Sequence, residues 1–465
     1  MSYSILLVRR FISGDSYMKI FRMDKVERSE LFSMYIPMFV EQFMISAVGM
    51  FITAVVKVSG MEAVAAVSLL NSLVMLFQQS FTSIGVGVTV AVAQLRGRGD
   101  PEATGSAASQ SITLAFIASV SVSVLCFIFM EPMMSAVFRD SDLLVYEYGR
   151  IYLSYNTLSL PFVAIYTTSA AAIRGSGYPR ISLWATLINN GAYAVMAYVS
   201  VHLMGAGIRG VSIALLISRL LAAVAGLILL LRGNNHMHTG SIKLKINSSV
   251  ARPIFRVAVP LLLENLLFSG GRLVTQAFAV GYGTNSVAAN GIANTIHGLM
   301  LVPGVTSSNV APPLVGRYCG KGDLEGAKRK GFQIIWLTVL IMTLSSALIL
   351  ILLKSLTGTM TDIPDVQKQV YTVAVSYCIM IPVFWTLGFV TPSILRSSGD
   401  GKFTSVVCIS AMVLMRITTG YLLAVVLRVG IIGIWLSMYA DWIIRVSFFY
   451  PRFKSGKWLK YSVLD

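Results

Sequence analysis

A stretch that begins at Pro37 occurs twice in this chain, at a constant offset and without a gap. Pro37-Met-Phe-Val-Glu41-Gln42 returns as Pro260-Leu-Leu-Leu-Glu264-Asn265. At the far end of the stretch, Gly97-Arg-Gly-Asp100 returns as Gly320-Lys-Gly-Asp323. The matches fall on Pro, Gly, Glu and Asn, residue types that are used for backbone geometry or for chemistry. Two copies of one structural unit therefore make up the chain, and each copy places a carboxylate in an apolar segment.

The apolar segments have the composition of membrane helices. Of the 465 residues, 55% are apolar and 12% are charged, which is not the composition of a soluble domain. Uncharged runs of roughly twenty residues recur, and a helix of that length spans a hydrocarbon core about 30 Å thick. Backbone polar groups in lipid have to be satisfied within the segment, so the spans are predicted to be helical.

Twelve spans are predicted, at residues 31–56, 63–95, 104–130, 143–172, 181–204, 208–231, 253–280, 287–316, 329–353, 366–395, 403–427 and 430–450. The repeat continues beyond its first stretch, since Ile173-Arg174-Gly-Ser-Gly177 is echoed by Leu395-Arg396-Ser-Ser-Gly399. Six spans is an even number, so both halves enter the membrane from the same face, related by a pseudo-twofold axis along the membrane normal. The predicted fold is an all-α polytopic membrane protein with two six-helix bundles.

The net charge of +17 indicates membrane orientation rather than a nucleic-acid partner. Lys and Arg on the side that holds both termini outnumber those of the opposite loops by roughly four to one. This bias predicts cytoplasmic termini and a multi-pass protein of the cell (inner or plasma) membrane. The predicted parts are a cytoplasmic lead-in at 1–30, an N-lobe at 31–232, a cytoplasmic linker at 233–252, a C-lobe at 253–450 and a cytoplasmic tail at 451–465.

Charged and polar residues inside the spans are the candidate site residues. An ionised carboxylate in mid-bilayer costs about 2.5–3.5 kcal/mol or more, so Glu41 and Glu264 are expected to face a cavity or a partner. They are the predicted ion-coupling residues. A polar stripe on the first span (Gln42, Ser46 and Thr53) and a matching stripe on the seventh (Asn265, Arg272 and Gln276) predict the walls of a shared substrate cavity. Four asparagines of other spans are further candidate hydrogen-bonding residues of this cavity: Asn71, Asn189, Asn190 and Asn294. The alternative is that these residues form interhelical hydrogen bonds, with Arg272 neutralising Glu264.

Other charges in the spans have simpler interpretations. Asp441 and Arg445 stand at i and i+4, a spacing that predicts a structural ion pair. Arg219 and Arg416 have no evident local partner. The four cysteines are scattered and show neither metal spacing nor a disulfide framework, so we predict no metal site.

The order and spacing of several motifs resemble the multidrug and toxic compound extrusion (MATE) family. The motifs are Pro37-x3-Glu-Gln, Gly60-x3-Val-Ala-Ala, Ala93-Gln94-x2-Gly-x-Gly-Asp and Leu395-Arg-x2-Gly-Asp400. The resemblance implies a V-shaped pair of bundles that exports cationic or amphiphilic compounds in exchange for H⁺ or Na⁺. Many members carry an acid where this chain has Ile52 and Trp385, so the resemblance places the coupling role on Glu264 and Glu41.

We therefore expect a secondary active, multidrug-type exporter that exchanges amphiphilic organic compounds for H⁺ or Na⁺ by rocker-switch alternating access. No cofactor other than the coupling cation is expected, and the expected partners are a small-molecule substrate and the lipid bilayer. A monomer is expected, since each chain contains both walls of its cavity. One alternative is a flippase for lipid-linked saccharides with the same fold. The other is an intramembrane enzyme, which is disfavoured because the catalytic motifs of hydrolases and metalloproteases are missing.

Overall fold

The structure is a computed structural model that describes residues 23–139, 142–232 and 247–464, and helices account for nearly all of these residues. Nine helical stretches in the described ranges are long and apolar enough to cross a membrane. The predicted spans at 143–172, 181–204 and 287–316 are not among those nine, but they are helical as well. The predicted all-α membrane fold is confirmed.

Among its described residues, the first half of the chain contains seven α-helices. They are α1 (Lys25–Val58), α2 (Met61–Arg98), α3 (Pro101–Ile128), the short α4 (Met130–Val137), α5 (Leu143–Gly175), α6 (Pro179–Tyr198) and α7 (Gly207–Arg232). A π-helical turn, Val199–Leu203, extends α6. Each predicted span of this half corresponds to one long helix, because an uninterrupted apolar run has to close its hydrogen bonds within itself.

The second half is more often interrupted. Its helices are α8 (Ser248–Val280), α9 (Thr284–Met300), α10 (Val302–Gly320), α11 (Leu324–Met360), α12 (Pro364–Met380), α13 (Thr391–Ser398), α14 (Gly401–Ala411), α15 (Thr418–Tyr421) and α16 (Ile431–Lys454). Leu301 separates α9 from α10, and Pro303 is in the first turn of α10, where the missing N–H group of a proline costs no helical hydrogen bond. Three π-helical segments occur among the described residues of this half: Ile381–Val390 joins α12 to α13, Met412–Ile417 joins α14 to α15, and Leu422–Val426 extends α15.

The repeated Gly-x-Gly-Asp loops are helix starts. In the first copy, Asp100 Oδ1 accepts a hydrogen bond of 2.8 Å from the backbone N–H of Ala103. In the second copy, Asp323 Oδ1 accepts the equivalent bond of 2.8 Å from Gly326. Gly99 closes the preceding helix with a φ of 75°, which a residue without a Cβ adopts at little cost. These loops cap helices in both halves.

The described residues divide into two packing units. The N-unit is Ile36–Asn265, and the C-unit combines residues 23–35 with Leu266–Val463. Residues 1–22 of the predicted lead-in and 233–246 of the predicted linker lie outside the described residues. The lobe boundaries at 31–232 and 253–450 follow membrane topology rather than packing, and they remain a prediction.

Ion pairs hold the start of α1 within the C-unit. Glu30 forms a salt bridge with Arg317, which lies near the end of α10, and a second one with Lys330 of α11 at 2.9 Å. The hydroxyl group of Tyr318 donates a hydrogen bond of 3.0 Å to the same carboxylate. Because one carboxylate of α1 joins two other helices, the first three turns of α1 belong to the C-unit.

The end of the chain folds back on the C-unit. Trp458 is fully buried, and Ser398 donates a hydrogen bond of 2.8 Å to its carbonyl. Arg452 forms a salt bridge of 2.8 Å with Asp400. Residues at the start of the predicted tail are therefore packed against the Leu395–Asp400 motif.

Close helix packing in the N-unit depends on small residues. A Cβ added at Gly87 of α2 would lie 2.5 Å from the carbonyl oxygen of Ile254 and 3.3 Å from Ala258 Cβ, so α2 and α8 approach at backbone distance. Around this contact, Val88, Ala91 and Leu230 are buried in one apolar cluster. Small residues replace the hydrophobic effect as a source of helix association where the solvent is lipid.

We predict that Gly87→Ala destabilises the purified protein by about 1–3 kcal/mol, because the added methyl group overpacks a backbone contact. The matched control is Gly49→Ala in α1, where nothing lies within 4 Å of the added atom. Thermal unfolding in detergent should show a lower Tm for Gly87→Ala and an unchanged or slightly higher Tm for Gly49→Ala. Equal Tm values for the two variants would contradict the close approach of α2 and α8.

Candidate functional site

Glu41 of α1 lies at the centre of a polar site inside the N-unit. Its Oε1 accepts a hydrogen bond of 2.9 Å from Arg174 Nη1 and one of 3.0 Å from Thr186 Oγ1. Arg174 comes from the end of α5 and Thr186 from the second turn of α6. Glu41 is 9% exposed, so a charged pair has formed in largely desolvated surroundings.

A second hydroxyl group extends this site. The oxygens of Tyr166 and Thr186 lie 2.7 Å apart, and either atom alone could donate. Thr186 has one hydroxyl hydrogen, and the carboxylate of Glu41 can use only that hydrogen. Tyr166 therefore donates to Thr186, which in turn donates to Glu41. The result is a directed chain of hydrogen bonds that ends on the carboxylate.

The second oxygen of Glu41 differs from the first. Glu41 Oε2 is buried and has no hydrogen-bond partner among the described residues, whereas Oε1 accepts two bonds. Buried carboxylate oxygens in proteins normally have a partner. One acceptor of this buried carboxylate is therefore available to a proton or another cation.

The structure places two other predicted residues near this site. Asn190 donates a hydrogen bond of 3.0 Å to the backbone carbonyl of Thr186 on the same helix, α6. Asn189 is one position earlier, and its side-chain oxygen is buried without a hydrogen-bond partner in the described part of the chain. Both lie within about one helical turn of Thr186. The two asparagines therefore continue the polar surface that begins at Glu41.

The other predicted residues of the N-lobe are not brought to Glu41. Ser46 and Thr53 donate to carbonyl groups of their own helix, those of Gln42 and Gly49, at 3.1 and 3.0 Å. The side chain of Gln42 is half-buried, and Asn71 of α2 is exposed. Such i to i−4 bonds satisfy a hydroxyl group locally, so they do not join helices.

The polar residues of α8 are divided between the two units. Glu264 is half-buried in the N-unit, and Asn265 donates a hydrogen bond of 3.0 Å to Ser83 of α2. Arg272 and Gln276 lie in the C-unit and are exposed. Asn294 donates to the carbonyl of Asn290 at 2.8 Å, within its own helix α9. The predicted stripe on α8 is thus one helical surface whose residues belong to two packing units.

Asp441 anchors a cluster of arginines in the C-unit. The predicted pair with Arg445 is confirmed, with Nε 2.8 Å from Oδ1. Arg416, for which the sequence suggested no partner, lies 4.0 Å from Oδ2 of the same carboxylate. Two arginines therefore share one buried acid.

Aromatic rings surround this cluster. Arg416 lies over the ring of Phe268 at 5.2 Å, and Arg445 lies over Phe389 at 4.8 Å. The imidazole of His297 is stacked 6.2 Å from Trp442. Cation–π contacts of this kind stabilise guanidinium groups in desolvated sites.

Sequence analysis missed Arg174, Thr186, Tyr166 and Asn290 as site residues. For Arg174, two signals in the sequence pointed to a cation partner for Glu41: the cost of a carboxylate in lipid and the repetition of an Ile/Leu-Arg motif in both halves. Asn290 accepts a hydrogen bond of 3.1 Å from Trp435 Nε1, and nothing in the sequence joins these distant positions. Arg219 is likewise buried, with Nη1 3.1 Å from Asn156 Oδ1.

Both halves of the chain match known transporters. The MatE family model matches residues 37–199 and 260–422. The chain is 25% identical over 327 residues to the probable multidrug resistance protein NorM of Thermotoga maritima, and this alignment covers 68% of each of the two proteins. It is 21% identical over 261 residues to the multidrug export protein MepA of Staphylococcus aureus, covering 56% of this chain and 57% of that one. A solved MOP superfamily transporter from Pyrococcus furiosus superposes with a TM-score of 0.83 at 20% identity, covering 94% and 98%.

The pair of Glu41 and Arg174 should show strong energetic coupling. Arg174→Gln leaves a carboxylate buried without its cation, so it should lower thermal stability more than Glu41→Gln combined with Arg174→Gln does. We expect a coupling free energy of about 1–3 kcal/mol from the double-mutant cycle, measured by unfolding in detergent. The control is a double-mutant cycle on Glu131 and Arg150, an exposed pair with a similar N–O distance of 2.8 Å. Its coupling free energy should stay below about 1 kcal/mol. Additive effects in the first cycle would contradict the ion pair.

Proposed function

This chain belongs to the MatE family of transporters, and from that premise we propose that it is a secondary active exporter that exchanges amphiphilic organic compounds for a cation. The protein is a multi-pass membrane transporter of small molecules and not an enzyme. The proposal adds the coupling cation, H⁺ or Na⁺, the direction of transport and the rocker-switch movement.

The main support for cation coupling is that the two carboxylate oxygens of Glu41 differ in their hydrogen bonds. Oε1 is bound by Arg174 and Thr186, and Oε2 is buried without a hydrogen-bond partner among the described residues. A proton on Oε2 neutralises the carboxylate and weakens the charge-assisted bond to Arg174. Binding of one proton therefore changes an interaction between α1 and α5. A Na⁺ ion on Oε2 would compete with Arg174 for the same negative charge.

Such a change can be linked to transport. A group that binds a cation in one arrangement of the protein more tightly than in another shifts the population between the two arrangements. One proton that moves inward down a potential of 100 mV supplies about 2.3 kcal/mol, before any pH gradient is counted. Substrate expulsion can use this free energy if substrate and cation favour opposite arrangements. In this scheme Glu264, the repeat equivalent of Glu41, provides the second carboxylate.

The proposal includes topology and assembly. The excess of Lys and Arg on one side supports cytoplasmic termini and a location in the cell membrane. The presence of both repeats in one chain supports a monomer as the transporting unit. The proposed contacts for substrate are polar side chains on α1, α6 and α8, and those on α8 include Arg272 and Gln276.

Transport by proteoliposomes tests the coupling. Vesicles that contain the full chain are loaded with a fluorescent amphiphilic dye, and a pH gradient and a Na⁺ gradient are imposed separately. We expect one of the gradients to drive dye movement in the wild type. Glu41→Gln and Glu264→Gln should each reduce that movement to the leak rate of empty vesicles, because the amide cannot bind the cation.

The control variant is Glu147→Gln, which removes an exposed carboxylate from α5. It should keep the gradient-driven rate. Wild-type rates in Glu41→Gln would exclude this residue as the coupling site, and wild-type rates in both site variants would exclude coupling through the repeated carboxylates.

A further inference from the structure

We propose that the arginine cluster of the C-unit binds the negatively charged group of an amphiphilic aromatic substrate, so that the transported compounds are organic anions. The cluster consists of Arg416 and Arg445, which share Asp441, together with Arg272 of α8, which follows the residue that contacts Met412. The inference rests on the proposed transport function and specifies its substrate class.

The packing of α8 brings Arg272 next to Arg416. A Cβ added at Gly271 would clash with the side chain of Met412, so α8 and the π-helical segment Met412–Ile417 are in direct contact there. Arg272 follows Gly271, and Arg416 stands one turn after Met412. The contact between Gly271 and Met412 therefore places the two arginines on neighbouring turns of adjacent helical segments.

Positive charge exceeds negative charge at this place. Arg445 is 1% exposed and uses its Nε for Asp441, so it completes the internal ion pair. The side chain of Arg416 is 12% exposed, and its nearest acid is the already paired Asp441 at 4.0 Å. The backbone carbonyl of Arg272 accepts a hydrogen bond from Thr275, but its guanidinium group forms neither a hydrogen bond nor an ion pair with any described residue, and Arg272 is exposed. Two guanidinium groups at the surface of the cluster are therefore left for an external anion.

The chemistry of these groups selects the ligand. Guanidinium groups bind carboxylate, sulfonate and phosphate oxygens through two parallel hydrogen bonds, which a cationic drug cannot accept. A second positive charge raises the cost of placing a cation nearby in a site of low dielectric. Unneutralised arginines inside a span are expensive, so their retention here indicates a counter-charge supplied by a ligand.

The surrounding rings supply an apolar wall for the rest of the molecule. Phe268 lies beneath both Arg416 and Arg445, at 5.2 and 5.7 Å from the two guanidinium carbons. Phe389 stacks on Trp385 with 5.0 Å between ring centroids. Sites for small organic molecules combine such aromatic walls with a few oriented charges. A flat aromatic body with one anionic group fits this arrangement.

A matched pair of xanthene dyes tests the charge preference. Fluorescein is an anion and rhodamine 123 is a cation of similar size and shape, so their difference isolates charge. Binding to the purified full chain in detergent is measured by fluorescence polarisation, without any ion gradient. We expect fluorescein to bind at least tenfold more tightly than rhodamine 123, and its affinity to fall as the salt concentration rises. Equal affinities, or tighter binding of rhodamine 123, would overturn the proposal.

Variants place the binding on the two arginines. Arg272→Gln and Arg416→Gln should each weaken fluorescein binding by about fivefold to tenfold, and Arg416→Lys, which keeps the charge, should weaken it less. The control Arg209→Gln removes an exposed arginine from the start of α7 and should leave the affinity unchanged. Arg272 is exposed, so its variant is expected to fold, and wild-type fluorescein affinity in that variant would overturn the assignment.

The source of the anion is resolved by competition. If a short aromatic sulfonate displaces fluorescein, the site binds a free organic anion. If only a polyprenyl phosphate displaces it, the site binds a lipid-linked anion. Either result supports the anion site, and the proposal is overturned if neither compound displaces fluorescein. These measurements are made at equilibrium, so they do not depend on coupling. If the protein binds fluorescein but its transport does not respond to ion gradients, the anion site stands and the proposed coupling is wrong. If transport responds to a gradient but fluorescein does not bind, the coupling stands and the anion site is wrong.

Discussion

A charged side chain inside a membrane span cannot be solvated by lipid, and this constraint organises the interior of both units. Glu41 forms an ion pair with Arg174, and Asp441 forms one with Arg445. Arg219 donates a hydrogen bond to the side-chain oxygen of Asn156. Each of these partners comes from within the same packing unit. Helix association in lipid lacks the hydrophobic effect, so such bonds, together with close contacts at small residues, hold the helices of each unit in position.

The two units use one duplicated framework for different charge distributions. The family matches at 37–199 and 260–422 begin at equivalent prolines, and the Gly-x-Gly-Asp loops cap equivalent helices. The N-unit holds a neutral pair with one carboxylate oxygen unused. The C-unit holds two arginines that share one buried acid, with Arg272 on the adjacent helix α8. Under our proposals, the first arrangement binds a cation and the second binds an anion, a division of roles that duplication permits because each copy can change its buried residues independently.

Backbone irregularity in the C-unit coincides with the residues proposed to bind substrate. Arg416 lies in the π-helical segment Met412–Ile417, and Trp385 and Phe389 lie in Ile381–Val390. A π-helical turn widens the helix and redirects the side chains that follow it, and such turns are frequent at functional sites. Pro382 at the start of the longer segment lacks an N–H group, which removes one α-helical hydrogen bond and favours the wider turn.

The amino-acid sequence by itself determined the helical membrane fold, the internal duplication and the pair of Asp441 with Arg445. These features depend on neighbouring residues or on composition, and both can be read along one chain. Only the tertiary structure decided that Arg174 and Thr186 meet Glu41, that Arg416 shares Asp441, and that the α8 stripe divides between two units. Those contacts join positions far apart in the chain, and their geometry depends on how several helices pack together, which hydrophobic periodicity and residue spacing do not encode.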